Sequence, residues 1–348
     1  MFDNKEKTNL ERLGEFGLIA HITKAIVLTE NSTLKGIGDD AAVLDFSGKK
    51  TLVSTDLLLE GVHFDLRYVP LKHLGYKAVQ VNLSDIYAMN GIASQITFSI
   101  GLSSRFPLEA VEELYAGALL ACKSYNVDLV GGDTSTSVQG LVISVTSIGY
   151  AQEADIVYRD GAQEGDLVCV SGDLGGAYVG LQLLEREKRI FLENPSIQPD
   201  LEGKDYIVER QLKPEARKDI VQLLATIGVK PTAMIDISDG LASEILHICE
   251  SSAKGCKLYE EKIPIDPMTY DTAREFGIDP TVCALSGGED YELLFTISQS
   301  DYDKVKNQPD ISVIGHITEK TAGCELISKS GHVHPITAQG WNAFKSAH

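Results

Sequence analysis

Acidic residues recur in this chain at one kind of place, where an apolar run meets the next segment beside Gly, Ser or Thr. They are Asp39 and Asp40 in GIGDDAAVLD, Asp56 in STD, Asp85 in NLSD, Asp133 in GGDTSTS, Asp236 and Asp239 in IDISDG, and Glu289 and Asp290 in SGGED. Gathered carboxylates repel one another unless cations lie between them, and Mg2+ favours carboxylate oxygens together with waters and substrate phosphates. Gly131 and Gly132 before Asp133, and Gly287 and Gly288 before Glu289, permit a phosphate or nucleotide to approach the backbone closely. The chemistry this pattern suggests is metal-assisted handling of phosphate. Each motif alone also has a plainer reading, because Gly and Asp build solvated turns and Asp or Ser caps helices. Ser238 or Asp239 ahead of LASEILHICE, with Glu244 nearby, fits a cap well. Capping accounts for one or two of these carboxylates and leaves the series unexplained.

The elements that must hold them are read from apolar periodicity, which switches repeatedly between two and about 3.6, the mark of mixed α and β structure. A short helix over GEFGLIAHITKAI precedes the GIGDD segment and a strand at TLVSTDLL. LKHLGYKAVQVNLSDIYAMNG carries Leu74, Ala78 and Val81 at helical spacing and ends at Gly91. After strand SQITFSIGL, PLEAVEELYAGALLACKSY opens with Pro107 at a first helical position and sets Leu108, Val111, Tyr115 and Ala118 on one stripe. NVDLVGG and LVISVTSIGY are further strands. The polar, non-periodic AQEADIVYRDGAQEGD places a domain boundary near residue 150, giving domains 1–150 and 151–348. The second half restarts with a strand, Gly-rich turn and helix in DLVCVSGDLGGAYVGLQLLERE, followed by a Pro- and charge-rich excursion over 190–213. Helix EARKDIVQLLATIG, a strand turning into a helix in TAMIDISDGLASEILHICESS, and a Gly turn entering a strand in ALSGGEDYELLFTI come next.

A length of 348 residues suggests about two domains. With 43% hydrophobic and 23% charged residues the chain is globular. Its 31 basic against 50 acidic residues give a net charge of -19, which repels nucleic acid at long range. A phosphorylated ligand can still be held if divalent cations bridge the two sets of negative charge. No run has the length of a signal peptide core or a membrane span, so a cytoplasmic protein without a membrane partner is expected. The six cysteines show no C-x-x-C spacing, signal neither a zinc site nor a disulfide frame, and read as reduced core residues.

The P-loop pattern is absent, as are the EF-hand spacing and the H-R-D and D-F-G signatures of protein kinases. Taken in order, however, LGEFGLIAHI, GIGDDAAVL, STDLLLEGVHF, GYKAVQVNLSDIYAMNG, GGDTS, IDISDGL, SGGEDYELLFT and a final GW-x-x-F resemble the thiamine-monophosphate kinase family. That family belongs to the ATP-using superfamily that includes aminoimidazole ribonucleotide synthetase. The resemblance runs from about residue 13 to about residue 344, with GVHF and SGGEDYEL pointing to the kinase within the superfamily.

The resemblance implies two α/β (α+β) domains. The N-terminal one binds ATP and Mg2+ and pairs with its copy in a homodimer through a shared β-barrel; the C-terminal α/β layer completes the nucleotide and substrate site. It assigns Mg2+ to Asp40, Ser54, Thr55, Asp56, Asp85, Asp133, Asp236 and Asp239, with Asp39 outside the set because successive strand residues face opposite ways. ATP falls to Tyr115, Gly132, Asp133, Arg159 and Ser238, although the helical stripe of Tyr115 suits a core role equally. His63, Glu289 and Trp341 would meet thiamine monophosphate. SGDLGGAYVGL has Gly-Ala where relatives carry Asp-Ser, so Asp173 receives no ligand role. The implied reaction is direct in-line transfer from ATP to a phosphate that is already mostly dianionic at neutral pH, with its second pKa near ~6, so that no general base is required. Another synthase of the superfamily, a metal-dependent phosphohydrolase and a non-catalytic metal-binding module are the alternatives.

Overall fold

A computed structural model of the chain describes residue 21, residues 23–35 and residues 43–338; Asp39, Asp40 and Trp341 lie outside them. It divides into two units, Met1–Ile86 with Gly91–Ala154 and Tyr87–Asn90 with Asp155–His348.

In the first unit, β1 (Thr33–Lys35) and β2 (Val43–Leu44) form a small antiparallel pair. The main sheet contains β3 (Lys50–Leu59), β4 (Ile92–Leu102), β5 (Asp128–Gly131), β6 (Thr134–Thr136) and β7 (Val142–Ala151). Its order is β3-β7-β4-β5, with β6 also on β4, and it is open among the described residues, not closed into a barrel. Helices α1 (Leu71–Ala88) and α2 (Leu108–Tyr125) supply the cover. Alternation along β3 turns Ser54, Asp56 and Leu58 to the more buried face and Val53, Thr55 and Leu57 to the other, where Val53 is 65% and Leu57 51% exposed.

The two helices cross with their backbones touching. A Cβ on Gly75 of α1 would lie 1.9 Å from the Leu114 carbonyl oxygen, and one on Gly117 of α2 would lie 1.8 Å from that of Lys72. Pro107 stands just before the first turn of α2 as its N-cap residue, and Asn126 closes the helix in the left-handed conformation, φ 54°. At the start of β5, buried Asp128 accepts hydrogen bonds from the Thr29 and Glu30 amides and from the Thr29 and Thr33 hydroxyls, tying residues 29–33 to the sheet.

The second unit holds β8 (Leu167–Ser171), β9 (Ala233–Asp236), β10 (Lys254–Tyr259), β11 (Leu293–Ile297), β12 (Ile311–Glu319), β13 (Cys324–Ile327) and β14 (Val333–Pro335). They form one sheet in the order β14-β13-β10-β12-β8-β11-β9. Its helices include α3 (Gly176–Glu193), α4 (Asp205–Leu212), α5 (Lys218–Thr226), α6 (Leu241–Ser251), α7 (Pro267–Glu275) and α8 (Pro280–Ser286). Alternation divides the apolar residues between two cores. Val168, Val170, Ile235 and Leu294 pack with Ile245 and Ile248 of α6, whereas Cys169, Met234 and Phe295 pack with Ile220 and Leu224 of α5. With both faces covered, β11 is buried throughout and reads as a continuous apolar run.

The excursion expected over 190–213 is shorter than its composition suggests. Helix α3 extends into it, and α4 fills its end with Ile207 and Leu212 turned inward. Eight residues are too few for periodicity to declare a helix; backbone contact secures it instead, since a Cβ on Gly180 would meet the Ile207 carbonyl oxygen at 2.0 Å.

The helix crossing generates a prediction. Gly117→Ala must push α2 away from α1, and overpacking of this kind costs roughly 1–3 kcal/mol. A lowered denaturation midpoint with an unchanged denaturant slope is the expected result.

Candidate active site

In the first unit, Asn82 and Asp85 are one helical turn apart on α1 and both reach β3. The Asp56 amide donates to Asn82 Oδ1 at 2.9 Å, and the Ser54 hydroxyl donates to Asp85 Oδ2 at 2.5 Å. The Ser147 hydroxyl on β7 closes the other side by donating to the Asn82 carbonyl at 2.9 Å. Burial, followed by the nearby Asp85 carboxylate, pushes Asp56 up to about 6. This grouping of Ser54, Asp56 and Asp85 offers hard oxygen donors whose mutual repulsion a divalent cation would relieve.

Thr55 stands apart. Its side chain occupies the opposite face of β3, where its hydroxyl donates to the Val145 carbonyl at 3.0 Å and receives the Thr146 hydroxyl at 3.1 Å. Any contribution from Thr55 to the same group would come from its backbone.

Asp133 follows an interruption in strand pairing. Strands β5 and β6 both run parallel to β4, at Gln95–Thr97 and Ile100–Leu102 respectively. Between them Gly132 passes so close to β4 that a Cβ would lie 2.0 Å from the Phe98 carbonyl oxygen. The Asp133 carbonyl accepts the Ile100 amide at 2.8 Å, and the residue is exposed. His63 is fixed locally, its Nδ1 accepting the Leu59 amide at 3.0 Å. Tyr115 is buried at 6% exposure, with its ring centroid 5.3 Å from that of Phe98, and burial holds its phenol above the ordinary value. It serves the core that its helical stripe announces.

In the second unit two distant motifs are laced together. The Glu289 amide donates to the Ser238 carbonyl at 2.7 Å, the Tyr291 amide to the Ile237 carbonyl at 2.8 Å, and the Ile237 amide to the Glu292 carbonyl at 2.8 Å. Contact this close requires glycine: a Cβ on Gly288 would lie 2.5 Å from the Ser238 carbonyl oxygen. Glu289 and Tyr291 themselves take left-handed backbone angles, φ 59° and 53°. Asp236 ends β9, buried and in register with Leu293 of β11. Arg159 is exposed, its carbonyl accepting the Ser252 hydroxyl at 3.1 Å.

The helix-cap expectation for Ser238 or Asp239 does not hold. Gly240 is the N-cap residue of α6 and no side chain caps it. The satisfied donor is instead the Asp239 amide, which gives its hydrogen to Glu244 Oε1 at 3.1 Å. Burial pushes Glu244 up to about 8, the Asp239 and Glu244 amides opposing and the Asp239 and Asp236 charges assisting. Asp239 is also raised, by burial first, with His247 opposing and Glu289 adding to the shift. By contrast Asp219 lies below the usual carboxylate range, because its ion pair with Arg217 outweighs burial.

Beneath it lies a polar network that sequence reasoning did not find. Buried Glu292 receives Arg210 at 2.9 Å, Arg217 at 2.5 Å and the Ser171 hydroxyl at 2.5 Å. Buried Asp290 accepts the Gly175 amide at 2.8 Å and the Ala177 amide at 3.3 Å, where α3 begins; burial pushes it up to about 7 against the pull of Arg210. Gln211 donates to Glu289 Oε2 at 2.9 Å. The acidic residues of SGGEDYE offered a signal, since an interior carboxylate needs a buried cation. The arginine partners lay within and just beyond the stretch read as an excursion.

Among the described residues no three carboxylates bring ligand oxygens within 4.8 Å of one another; the three-residue group that meets this spacing is Cys249, Cys256 and Cys324. Burial is the first cause of the upward shifts of Asp56, Asp239 and Glu244, and nearby carboxylates add to each: Asp85 for Asp56, Glu289 for Asp239, and Asp239 with Asp236 for Glu244.

Comparison with known proteins adds the following. The family described as "AIR synthase related protein, N-terminal domain" matches residues 38–151. The chain is 33% identical over 342 residues to the thiamine-monophosphate kinase of Bacillus subtilis, covering 96% of this chain and 100% of that one. It is 36% identical over 335 residues to the thiamine-monophosphate kinase of Aquifex aeolicus, covering 96% and 99%. A solved structure of AaThiL complexed with AMPPCP and TMP superposes with a TM-score of 0.73 at 34% identity, covering 98% of this chain and all 100% of that one.

The acidic pair predicts two opposite effects of one substitution. A carboxyl raised in the folded state binds its proton more tightly there, so Asp56 favours folding most below its unfolded value of 3.8. It costs stability increasingly as pH rises to about 6, and by a constant amount above. Asp56→Asn should therefore match or exceed the metal-free parent in thermal stability at pH 7.5 while turnover falls at least about 100-fold. Parallel melts and rate measurements check this, and a melting loss typical of a core mutation would contradict the assignment.

Proposed function

Because the chain belongs to the thiamine-monophosphate kinase family, we infer that it transfers the γ-phosphoryl group of ATP to the phosphate of thiamine monophosphate, giving thiamine diphosphate and ADP. Similarity to curated kinases over 96% of the chain carries this conclusion. The ATP analogue and TMP named with the AaThiL structure support the same pair of substrates.

Ser54, Asp56, Asp85 and Asp133 of the first unit, with Asp236 and Asp239 of the second, are the proposed Mg2+ ligands. Asp40 joins them on the resemblance. Mg2+, when bound, supplies charge neutralisation between two anionic phosphates. The protein's own contribution is positioning. The α1–β3 hydrogen bonds fix Asp56 and Asp85, and Gly132, Ser238 and Arg159 are proposed to meet ATP. Glu289, held by Gln211, His63 and Trp341 are proposed to meet thiamine monophosphate. The acceptor needs no side chain to remove a proton, so transfer is proposed to be direct and in line, without a phosphoenzyme.

We also propose a cytoplasmic homodimer paired through β3, completing a shared barrel. Supporting this are the ten residues of β3, at the edge of the sheet among the described residues, and its outward Val53 and Leu57, an apolar stretch of the kind that isolated proteins rarely expose on an edge strand. Among the described residues no helix is long and apolar enough to cross a membrane.

Incubation with ATP, Mg2+ and thiamine monophosphate should yield thiamine diphosphate and ADP in equal amounts; phosphate release without diphosphate would identify a hydrolase and overturn the inference. Leu57→Glu should halve the mass measured by sedimentation equilibrium, and an unchanged mass would exclude this face as the dimer contact.

A further inference from the structure

Three cysteines far apart in sequence meet in the second unit. Cys249 comes from α6, Cys256 from β10 and Cys324 from β13, and all three sulfurs lie within 4.8 Å of one another. Cys256 and Cys324 are register partners on parallel strands, and none of the three forms a disulfide. Cys249 and Cys256 are buried and Cys324 half-buried, which gives one side of access. The surroundings are apolar: Ile245, Ile248, Leu258, Ile317, Leu326 and Ile336 belong to the same core cluster.

Three points whose mutual separations do not exceed 4.8 Å lie at most about 2.8 Å from a common centre. Metal–thiolate bonds are about 2.3 Å long, so an atom in the plane of the sulfurs needs at most roughly half an ångström of contraction, and a pyramidal atom above that plane draws the three sulfurs closer still. The charge of that atom decides which class fits. A monovalent ion on three thiolates leaves two negative charges in the core and a divalent ion leaves one, each costly to bury unpaired. A tetrahedral divalent ion also needs a fourth ligand, and among the described residues no carboxylate or imidazole joins the group. A trivalent thiophile leaves no net charge and asks for three sulfurs.

We propose that Cys249, Cys256 and Cys324 form a binding site for trivalent arsenic, taken up as arsenous acid. Three As–S bonds form and three As–OH bonds break; each thiol proton leaves with a hydroxide as water. Arsenic remains trivalent, so no oxidant or reductant takes part. The adduct joins the last turn of α6 to β10 and β13.

The test uses the full chain reduced with a phosphine, incubated with arsenite and examined by native mass spectrometry and arsenic X-ray absorption. The expected result is one arsenic per chain with loss of three hydrogens, and a shell of three sulfurs without oxygen. Cys324→Ser, a change at the half-buried position, should weaken binding by at least about tenfold or leave an adduct that retains a hydroxyl, whereas Cys122→Ser in α2 should bind as the parent does. Absence of an adduct on the native parent, a two-sulfur adduct on the parent, or unaltered three-sulfur binding by Cys324→Ser would overturn the proposal.

Discussion

Asp56 and Asp85 are brought together across β3 and α1 by hydrogen bonds that do nothing to cancel their charge. The amide of one is held by Asn82, the carboxylate of the other receives Ser54, and the result is a carboxyl that burial and its neighbour push up to about 6. A folding chain gains nothing from such proximity. The arrangement persists because strong neutral contacts surround it: buried Asn82 bridges helix and sheet, and the α1–α2 crossing fixes the helix that carries Asp85. Asp239 and Glu244 repeat the theme in the second unit, both shifted upward. Phosphoryl transfer between two anions depends on positive charge supplied at the moment of binding, and gathered carboxylates are the groups through which Mg2+ can supply it.

In the second unit, neighbouring carboxylates of one motif take different partners. Asp290 and Glu292, two residues apart, share an interior supplied by Arg210 and Arg217. Glu289, one residue earlier, receives an amide hydrogen bond from Gln211 instead. A single short motif therefore ties two buried carboxylates to arginines while its first carboxylate receives Gln211.

Much of this was legible in the sequence for simple reasons. The α1 motif NLSD, the strand STD and the glycine pairs each have a local physical signature, and the period switch between strands and helices marked mixed α and β structure. Thr55 shows where local reading stopped short: the alternation that excluded Asp39 from a shared face applies equally to the middle residue of Ser54-Thr55-Asp56. Ser238 and Asp239 looked like caps because cap propensity is local, whereas the cap position falls one residue later, on Gly240, and Glu244 accepts the Asp239 amide from inside the helix. Arg210, Arg217 and the three clustered cysteines were invisible because their partners are set by tertiary register; Cys256 and Cys324 become neighbours through parallel pairing of strands 68 positions apart in the chain.

The left-handed conformations of Glu289 and Tyr291 carry an evolutionary consequence. A side chain other than glycine in that region costs about 1–2 kcal/mol, so drift toward glycine at either place would stabilise the loop. Thermodynamic preference alone points away from the residues present, so a glutamate at 289 is accounted for by what its carboxylate does and not by the backbone it occupies.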